Sequence, residues 1–228
     1  MVRQLNVFGS RILEKIKNIK FTGKYSKNLM KSRIRNRVEV DPQKVVLRQL
    51  RLNDVSEKYV GWLNDPEVYQ FMELRHKIPV AQQDVIRYIE TCNKNKRHHW
   101  GIFNDGEHVG NVTCGYYERK YHWADISNII GEKIFRGTNL AKFALVGAID
   151  YLFNIAGLHR LQAITLPVNF AGIALLANIG MRKEAVFKKA TIVDDVYVDV
   201  LVYGILKEEW LKRNYKIPSV KVIRPFWE

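Results

Sequence analysis

The stretch that most constrains this chain is residues 125–157, where a strand-like apolar run leads through a short polar loop into a long apolar-faced segment. The run passes Ile129 and Ile130 and stops at Gly131, and the second apolar segment starts at Leu140. A strand that continues through a loop into a helix presents free backbone N–H groups and the positive end of the helix dipole. We therefore predict that this loop binds a phosphate or pyrophosphate.

The segments on either side of the loop predict a mixed α/β domain. Apolar alternation, turn residues and helix-stop residues give the element order β-α-α-β-β-β-α-β-α-β-β over residues 45–211. Asn53 or Asp54 is the expected cap of the first helix, and Asp194-Asp195 is the expected turn of the last hairpin. One sheet with helices packed against it is the architecture that this order favours.

The loop and the element order together resemble the GNAT acetyltransferase superfamily. That family's pyrophosphate loop reads Gln/Arg-x-x-Gly-x-Gly/Ala, and here Arg136 fills the first position and Ala141 the last. Asn139 replaces the central glycine, and Asn is the non-glycine residue that best tolerates a left-handed backbone. The resemblance implies the GNAT acyl-CoA N-acyltransferase fold, a splayed central mixed β-sheet flanked by helices.

The same resemblance implies acetyl-CoA as co-substrate and a primary amine as acceptor. The strand before the loop would pair with the pantetheine, the loop N–H groups would hold the pyrophosphate, and a later asparagine would contact the cofactor. Carried over position by position, these roles fall to Ile129, Ile130, Gly131, Arg136, Gly137, Thr138, Asn139, Leu140, Ala141 and Asn169.

Acetyl transfer to an alkylamine needs a general base, because the amine is mostly protonated at pH 7. Asp125 is the first candidate, because the resemblance implies an acidic residue at this place in the strand, and strand alternation puts it with Ser127 and Ile129 on one face. Glu73 is the second, because it follows a segment that resembles the aminosugar branch of the family. His76 and His122 are lesser candidates. Many family members place an acid tyrosine where this chain has Leu176, so the general acid stays unassigned.

The sequence supports three functional hypotheses. Asn64-Asp65-Pro66-Glu67-Val68 and Leu158-His159-Arg160 resemble aminosugar acetyltransferases, which implies a nucleotide-linked amino sugar as acceptor in glycan biosynthesis. The second phrase also resembles the ribosomal-protein alanine acetyltransferases, which implies a protein N-terminus. The departures at Asn139 and Leu176 motivate a third hypothesis, a non-catalytic domain that binds acyl-CoA.

The domain organisation that the sequence predicts has three parts. Residues 1–40 form a basic arm with eleven Lys or Arg against two acids, which is nine of the chain's net charge of +14. Residues 41–213 form the acetyltransferase domain, and residues 214–228 a tail. Apolar spacing in the arm predicts a short amphipathic helix. We weigh a solvated tail, contact with an anionic membrane or a partner, and, as the least favoured hypothesis, nucleic acid.

Cysteine and histidine usage bears on the environment of the protein. Cys92 and Cys114 lie in separate predicted elements, which indicates a reducing compartment rather than a disulfide scaffold. The six histidines show no metal-ligand spacing, so we predict no metal. We expect a cytoplasmic protein that the arm can bring to the membrane periphery, and the edge of the last hairpin as a place for homodimer contact.

Overall fold

The computed structural model describes residues 38–118, 120–213 and 218–227. The helix predicted in the arm lies outside these residues. The strands are β1 Val45–Gln49, β2 His99–Asn104, β3 Glu107–Glu118, β4 Trp123–Ile130, β5 Arg160–Thr165, β6 Arg182–Val193, β7 Val196–Leu206 and β8 Lys221–Val222. The helices are α1 Glu57–Leu63, α2 Pro66–Tyr69, α3 Gln82–Lys94, α4 Leu140–Asn154, α5 Phe170–Asn178 and α6 Lys207–Leu211.

One mixed sheet of eight strands joins these elements, in the order β6-β7-β5-β4-β3-β2-β1-β8. Neighbouring strands are antiparallel except at two places, β4 with β5 and β1 with β8. This confirms the predicted mixed α/β architecture. The tail adds to it, because Lys221 and Val222 pair with β1 and extend the sheet by one strand.

The sheet opens between β4 and β5. These two strands pair at three positions only, the last of which joins Asp125 to Gln162. Beyond that point β4 stays paired with β3 up to Ile130, and β5 stays paired with β7 up to Thr165. Residues 126–130 of β4 therefore border a gap, and the loop that follows β4 lies at its end.

Two apolar cores cover the two faces of the sheet. The larger one packs α4 against the sheet, and β4 contributes Ile126 and Ile130 to it. The smaller one lies under α1 and α3, and Ile129 packs against it. Successive β4 residues thus alternate between the faces as predicted, which places Asp125 and Ser127 on the face of α1 and α3.

The start of α1 differs from the sequence prediction. Asp54 belongs to a 3₁₀ turn at Leu52–Asp54, where it accepts the backbone N–H of Arg51 and pairs with Arg48. The cap of α1 is Ser56, whose hydroxyl accepts the N–H of Tyr59 at 3.2 Å. Asp and Ser are similarly good caps, so the sequence alone did not separate two such residues two positions apart.

Candidate active site

The loop after β4 is a tight connection into α4. Gly131 donates its N–H to Val109 at 2.9 Å, which keeps the end of β4 attached to β3. Gly137 has a φ of 76°, a left-handed conformation that suits glycine. Asn139 instead has a φ of −77°, so the chain turns at Gly137 and does not use the tolerance expected of Asn139.

Part of the loop's donor capacity is already used. The Thr138 N–H bonds Phe135 at 3.2 Å, and the Leu140 N–H bonds the Thr138 hydroxyl at 3.2 Å. The first helical bond of α4 runs from Phe143 to Asn139. Within the described part of the chain, the N–H groups of Gly137, Asn139 and Ala141 have no hydrogen-bond partner. These three donors at the start of a fifteen-residue helix fit an anionic group such as a pyrophosphate.

Arg136 points back toward β4 and toward α2. Its guanidinium donates to the carbonyls of Ile130 at 3.1 Å and Gly131 at 2.7 Å. It also forms ion pairs with Asp65 and Glu67. The arginine therefore fixes the end of the strand, and its contact with a pyrophosphate stays a prediction.

Asn169 lies on the far side of the gap, where β5 ends and α5 begins. Its side-chain oxygen caps α5 by accepting the Gly172 N–H at 3.0 Å. Its amide nitrogen donates to the Thr165 hydroxyl at 3.1 Å. The side chain thus holds the β5–α5 corner, and its predicted contact with the cofactor is untested by these bonds.

Asp125 lies at the last rung that joins β4 to β5, opposite an irregularity in β3. Burial raises the pKa of its carboxyl, against a hydrogen bond from Gln162 and the charge of Arg160, which work to lower it. Its Oδ1 atom is buried and has no hydrogen-bond partner among the described residues. A partly buried carboxylate with a raised pKa suits general-base catalysis, and this role stays a prediction for Asp125.

A line of polar side chains continues from Asp125 across β5 toward β6. Arg160 binds Glu184 through two hydrogen bonds of 3.0 and 2.5 Å. The Glu184 carboxylate crosses β7 at Gly204, where any side chain would overlap it. This face of β5 and β6 is open to solvent at Ile164 and Phe187. Sequence reasoning missed this line, because the register that brings four strands together leaves no local signal.

Glu73 is placed differently from Asp125. It begins a 3₁₀ turn after α2, and its side chain is 80% exposed, with the His76 ring 4.0 Å away. A carboxylate that water solvates lacks the burial that strengthens Asp125 as a base.

Leu176 lies in the larger core and is buried. A hydrocarbon side chain cannot deliver a proton, so the structure also assigns no acid at this position.

Within residues 38–118, 120–213 and 218–227, no three His, Cys, Asp or Glu side chains gather as metal ligands would. Over the same ranges, no helix combines the length and the apolar character that crossing a bilayer requires.

The parallel pair that opens after three rungs, followed by a donor-rich loop and α4, defines the class of acyl-CoA-dependent N-acyltransferases. Residues 44–182 match the family model described as an acetyltransferase (GNAT) domain, and the chain belongs to that family. It is therefore an acyltransferase enzyme and an N-acetyltransferase.

Three proteins illustrate what the chain is similar to, the last of them in fold alone. The uncharacterized N-acetyltransferase p20 of Bacillus licheniformis is 26% identical over 174 residues, which are 74% of this chain and 96% of that protein. RimJ of Mycobacterium smegmatis, solved with a CoA disulfide, is 25% identical with a TM-score of 0.65, over 76% of this chain and 87% of that one. Spermidine N-acetyltransferase of Vibrio cholerae, solved with CoA and spermine, is 18% identical with a TM-score of 0.66, over 74% and 99%.

Proposed function

We propose that this enzyme transfers acetyl from acetyl-CoA to the primary amine of a nucleotide-linked amino sugar. The main support for acetyl-CoA as the donor is the gap beside residues 126–130 of β4. This gap ends at the unpaired N–H groups of Gly137, Asn139 and Ala141. The backbone of β4 is available to the pantetheine amides, and the start of α4 to the pyrophosphate. The RimJ and spermidine acetyltransferase structures contain CoA, which supports this placement.

Asp125 is the proposed base in this scheme. It accepts a proton from the bound ammonium, directly or through water, and the neutral amine attacks the thioester carbonyl. A C–N bond forms and the C–S bond breaks, so that CoA leaves as a thiolate. The attacking nitrogen loses its second proton to give the amide, and the thiolate takes up a proton to give free CoA. A hydrogen bond from Gln162 and the charge of Arg160 favour the ionised form of this carboxyl beside the gap. We give Glu73 no step, because its side chain is solvated.

The acceptor half of the proposal relies on the resemblance of residues 64–68 to the aminosugar branch. The face beside Asp125 supports it, because Gln162, Arg160 and Glu184 offer donors and acceptors of the kind that sugar hydroxyls need. The apolar side chains of Ile164 and Phe187 lie on the neighbouring strands and offer contact to a sugar ring or a base.

Thiol release from acetyl-CoA tests the proposal, with a nucleotide-linked 4-amino-6-deoxysugar, peptides starting with alanine or serine, and spermidine as separate acceptors. We expect release with the sugar. Release with peptides alone would favour a protein N-terminus as acceptor, and release with spermidine alone a polyamine. If no acceptor gave thiol release while calorimetry showed CoA binding, the amino sugar would be contradicted as the acceptor, and a non-catalytic domain would be favoured.

We also propose that the basic arm brings the enzyme to anionic membranes, where membrane-bound glycans are assembled. Its surplus of nine positive charges supports this, because each Lys or Arg near an anionic membrane surface contributes about 1 kcal/mol to the binding free energy. Deleting residues 1–38 should abolish sedimentation with anionic vesicles at low salt while thiol release continues. Equal binding of the shortened chain would contradict the membrane role, and strong salt-sensitive RNA binding by the full chain would replace it.

A further inference from the structure

We propose that Asp65 and Glu67 hold two cations, Lys133 and Arg136, in ion pairs and thereby lower the affinity for CoA. Both cations lie in the loop between β4 and α4, which we call the donor loop because it is proposed to bind the acetyl donor. The two carboxylates compete with the pyrophosphate for Arg136 and Lys133. This inference rests on the proposed placement of the pyrophosphate at the start of α4.

Four ion pairs connect the two segments. Arg136 lies 2.8 Å from Glu67 and 3.1 Å from Asp65, measured between nitrogen and carboxylate oxygen. Lys133 lies 3.3 Å from Glu67 and 3.7 Å from Asp65. Both cations belong to the loop between β4 and α4, and both acids belong to the start of α2.

The inner and outer members of this group differ in burial. The side chains of Asp65 and Arg136 are 18% and 24% exposed, whereas Glu67 and Lys133 are mostly in solvent. Burial works to raise the pKa of Asp65, but the Glu67 N–H, Arg136 and Lys133 outweigh it and keep the pKa below the ordinary value. The inner pair is therefore the firm contact, and the outer one is screened by salt.

The position of the acids makes them unfavourable for an anion. Arg136 directly precedes Gly137, the first of the three unpaired N–H donors, so its partners Asp65 and Glu67 lie close to the same loop. Two carboxylates there repel a pyrophosphate and occupy cations that would otherwise attract it. Removing one negative charge should therefore strengthen donor binding, which is the opposite of what loss of a binding residue does.

The acids also connect the loop between β4 and α4 to helices α1 and α2. Asp65 caps α2 by accepting the Glu67 N–H at 3.0 Å. One turn earlier, the Trp62 ring covers Gly131 and its Nε1 donates to Glu132 at 2.9 Å. Because α1 and α2 are attached to the loop at both points, an anion that draws Arg136 away loosens one attachment and leaves the other in place.

Calorimetric titration of the full chain with CoA tests this inference. Glu67→Gln keeps the shape of the side chain and removes its charge, and Asp65→Asn also keeps a good helix cap. The matched control is Glu132→Gln, which removes one charge from the same loop but touches neither Arg136 nor Lys133 in its ion pairs. Pantetheine, which has no pyrophosphate, serves as the second probe.

We expect Glu67→Gln and Asp65→Asn to bind CoA about threefold to tenfold more tightly than the unchanged chain, and Glu132→Gln to stay within about twofold. The gain should shrink at high salt and be absent with pantetheine. Weaker binding, a gain no larger than that of Glu132→Gln, or an equal gain with pantetheine would overturn the inference. If the unchanged chain bound no CoA, the proposed function would fail as well. If it bound CoA with the same affinity as the Glu67→Gln and Asp65→Asn variants, only this inference would be removed.

Discussion

Asp125 combines two properties that oppose each other. Its burial raises the pKa of the carboxyl, which makes the carboxylate a better base. The same burial makes the ionised form costly to the folded state. Between the ordinary pKa and the raised one, the folded chain binds more protons than the unfolded chain, so the free energy of unfolding falls as pH rises.

Replacing Asp125 with Asn should separate these two properties. We expect kcat/KM to fall by roughly 10²–10⁴-fold with loss of the acidic limb of the pH–rate profile. The melting temperature should rise near pH 7, because the costly charge is gone, and the advantage should vanish below the ordinary pKa of an aspartate. Thermal unfolding over a pH series, together with thiol release, measures both effects.

Glu73→Gln is the matched control for that experiment. Its carboxylate is solvated, so kcat/KM should stay within about twofold and the pH profile should keep its shape. A large loss with Glu73→Gln beside a small loss with Asp125→Asn would exchange the roles that we propose for the two acids.

The contact between α1 and the end of β4 determines how closely the loop between β4 and α4 is held. A side chain on Gly131 would overlap the Trp62 ring, so this glycine is required by close approach. Its neighbour in α1, Gly61, has open space around the position of a side chain. The two glycines therefore predict opposite responses to the same substitution.

Gly131→Ala should lower the free energy of unfolding by about 1–3 kcal/mol, because the Trp62 ring must move. Gly61→Ala should raise it by about 0.5–1 kcal/mol, because alanine is the better helix residue and nothing opposes it. Denaturant unfolding of both variants provides the comparison. Equal effects would show that the Trp62 contact is not a constraint.

The sequence predicted most elements because their signals are local. The hairpin turn at Asp194-Asp195 is an example, since both residues have the positive φ that two-residue hairpin turns require. The polar line from Asp125 to Glu184 was missed, because it depends on register across four strands. β8 was also missed, since two residues are too short for an alternation pattern to show.

The C-terminal tail stabilises the edge of the sheet farthest from β6. Val220 approaches Gly147 of α4 closely, 3.0 Å from where a side chain would begin, and Val222 packs against the same core. The sheet edge at β1 is therefore covered by residues that follow the last element of the matched family region. This edge lies four strands away from the gap.

Removing residues 218–228 should therefore affect stability more than catalysis. We expect a loss of about 2 kcal/mol or more from the free energy of unfolding, since valine contacts with α4 disappear. The kcat of the folded fraction should be unchanged. Phe226→Ala is the control, because that ring is largely exposed and its loss should change little. Denaturant unfolding measures the difference, and a kcat that falls with the tail would contradict this separation.

The opening between β4 and β5, which pair at only three positions, divides the sheet into two parts. One part ends at β8 and the other at β6. The two parts are held together mainly by the larger core under α4, and only to a small extent by backbone pairing between β4 and β5. A ligand that pairs with the free backbone of β4 would take the place of the missing strand. The donor would then be a temporary component of the fold, and catalysis would begin only once the sheet is complete.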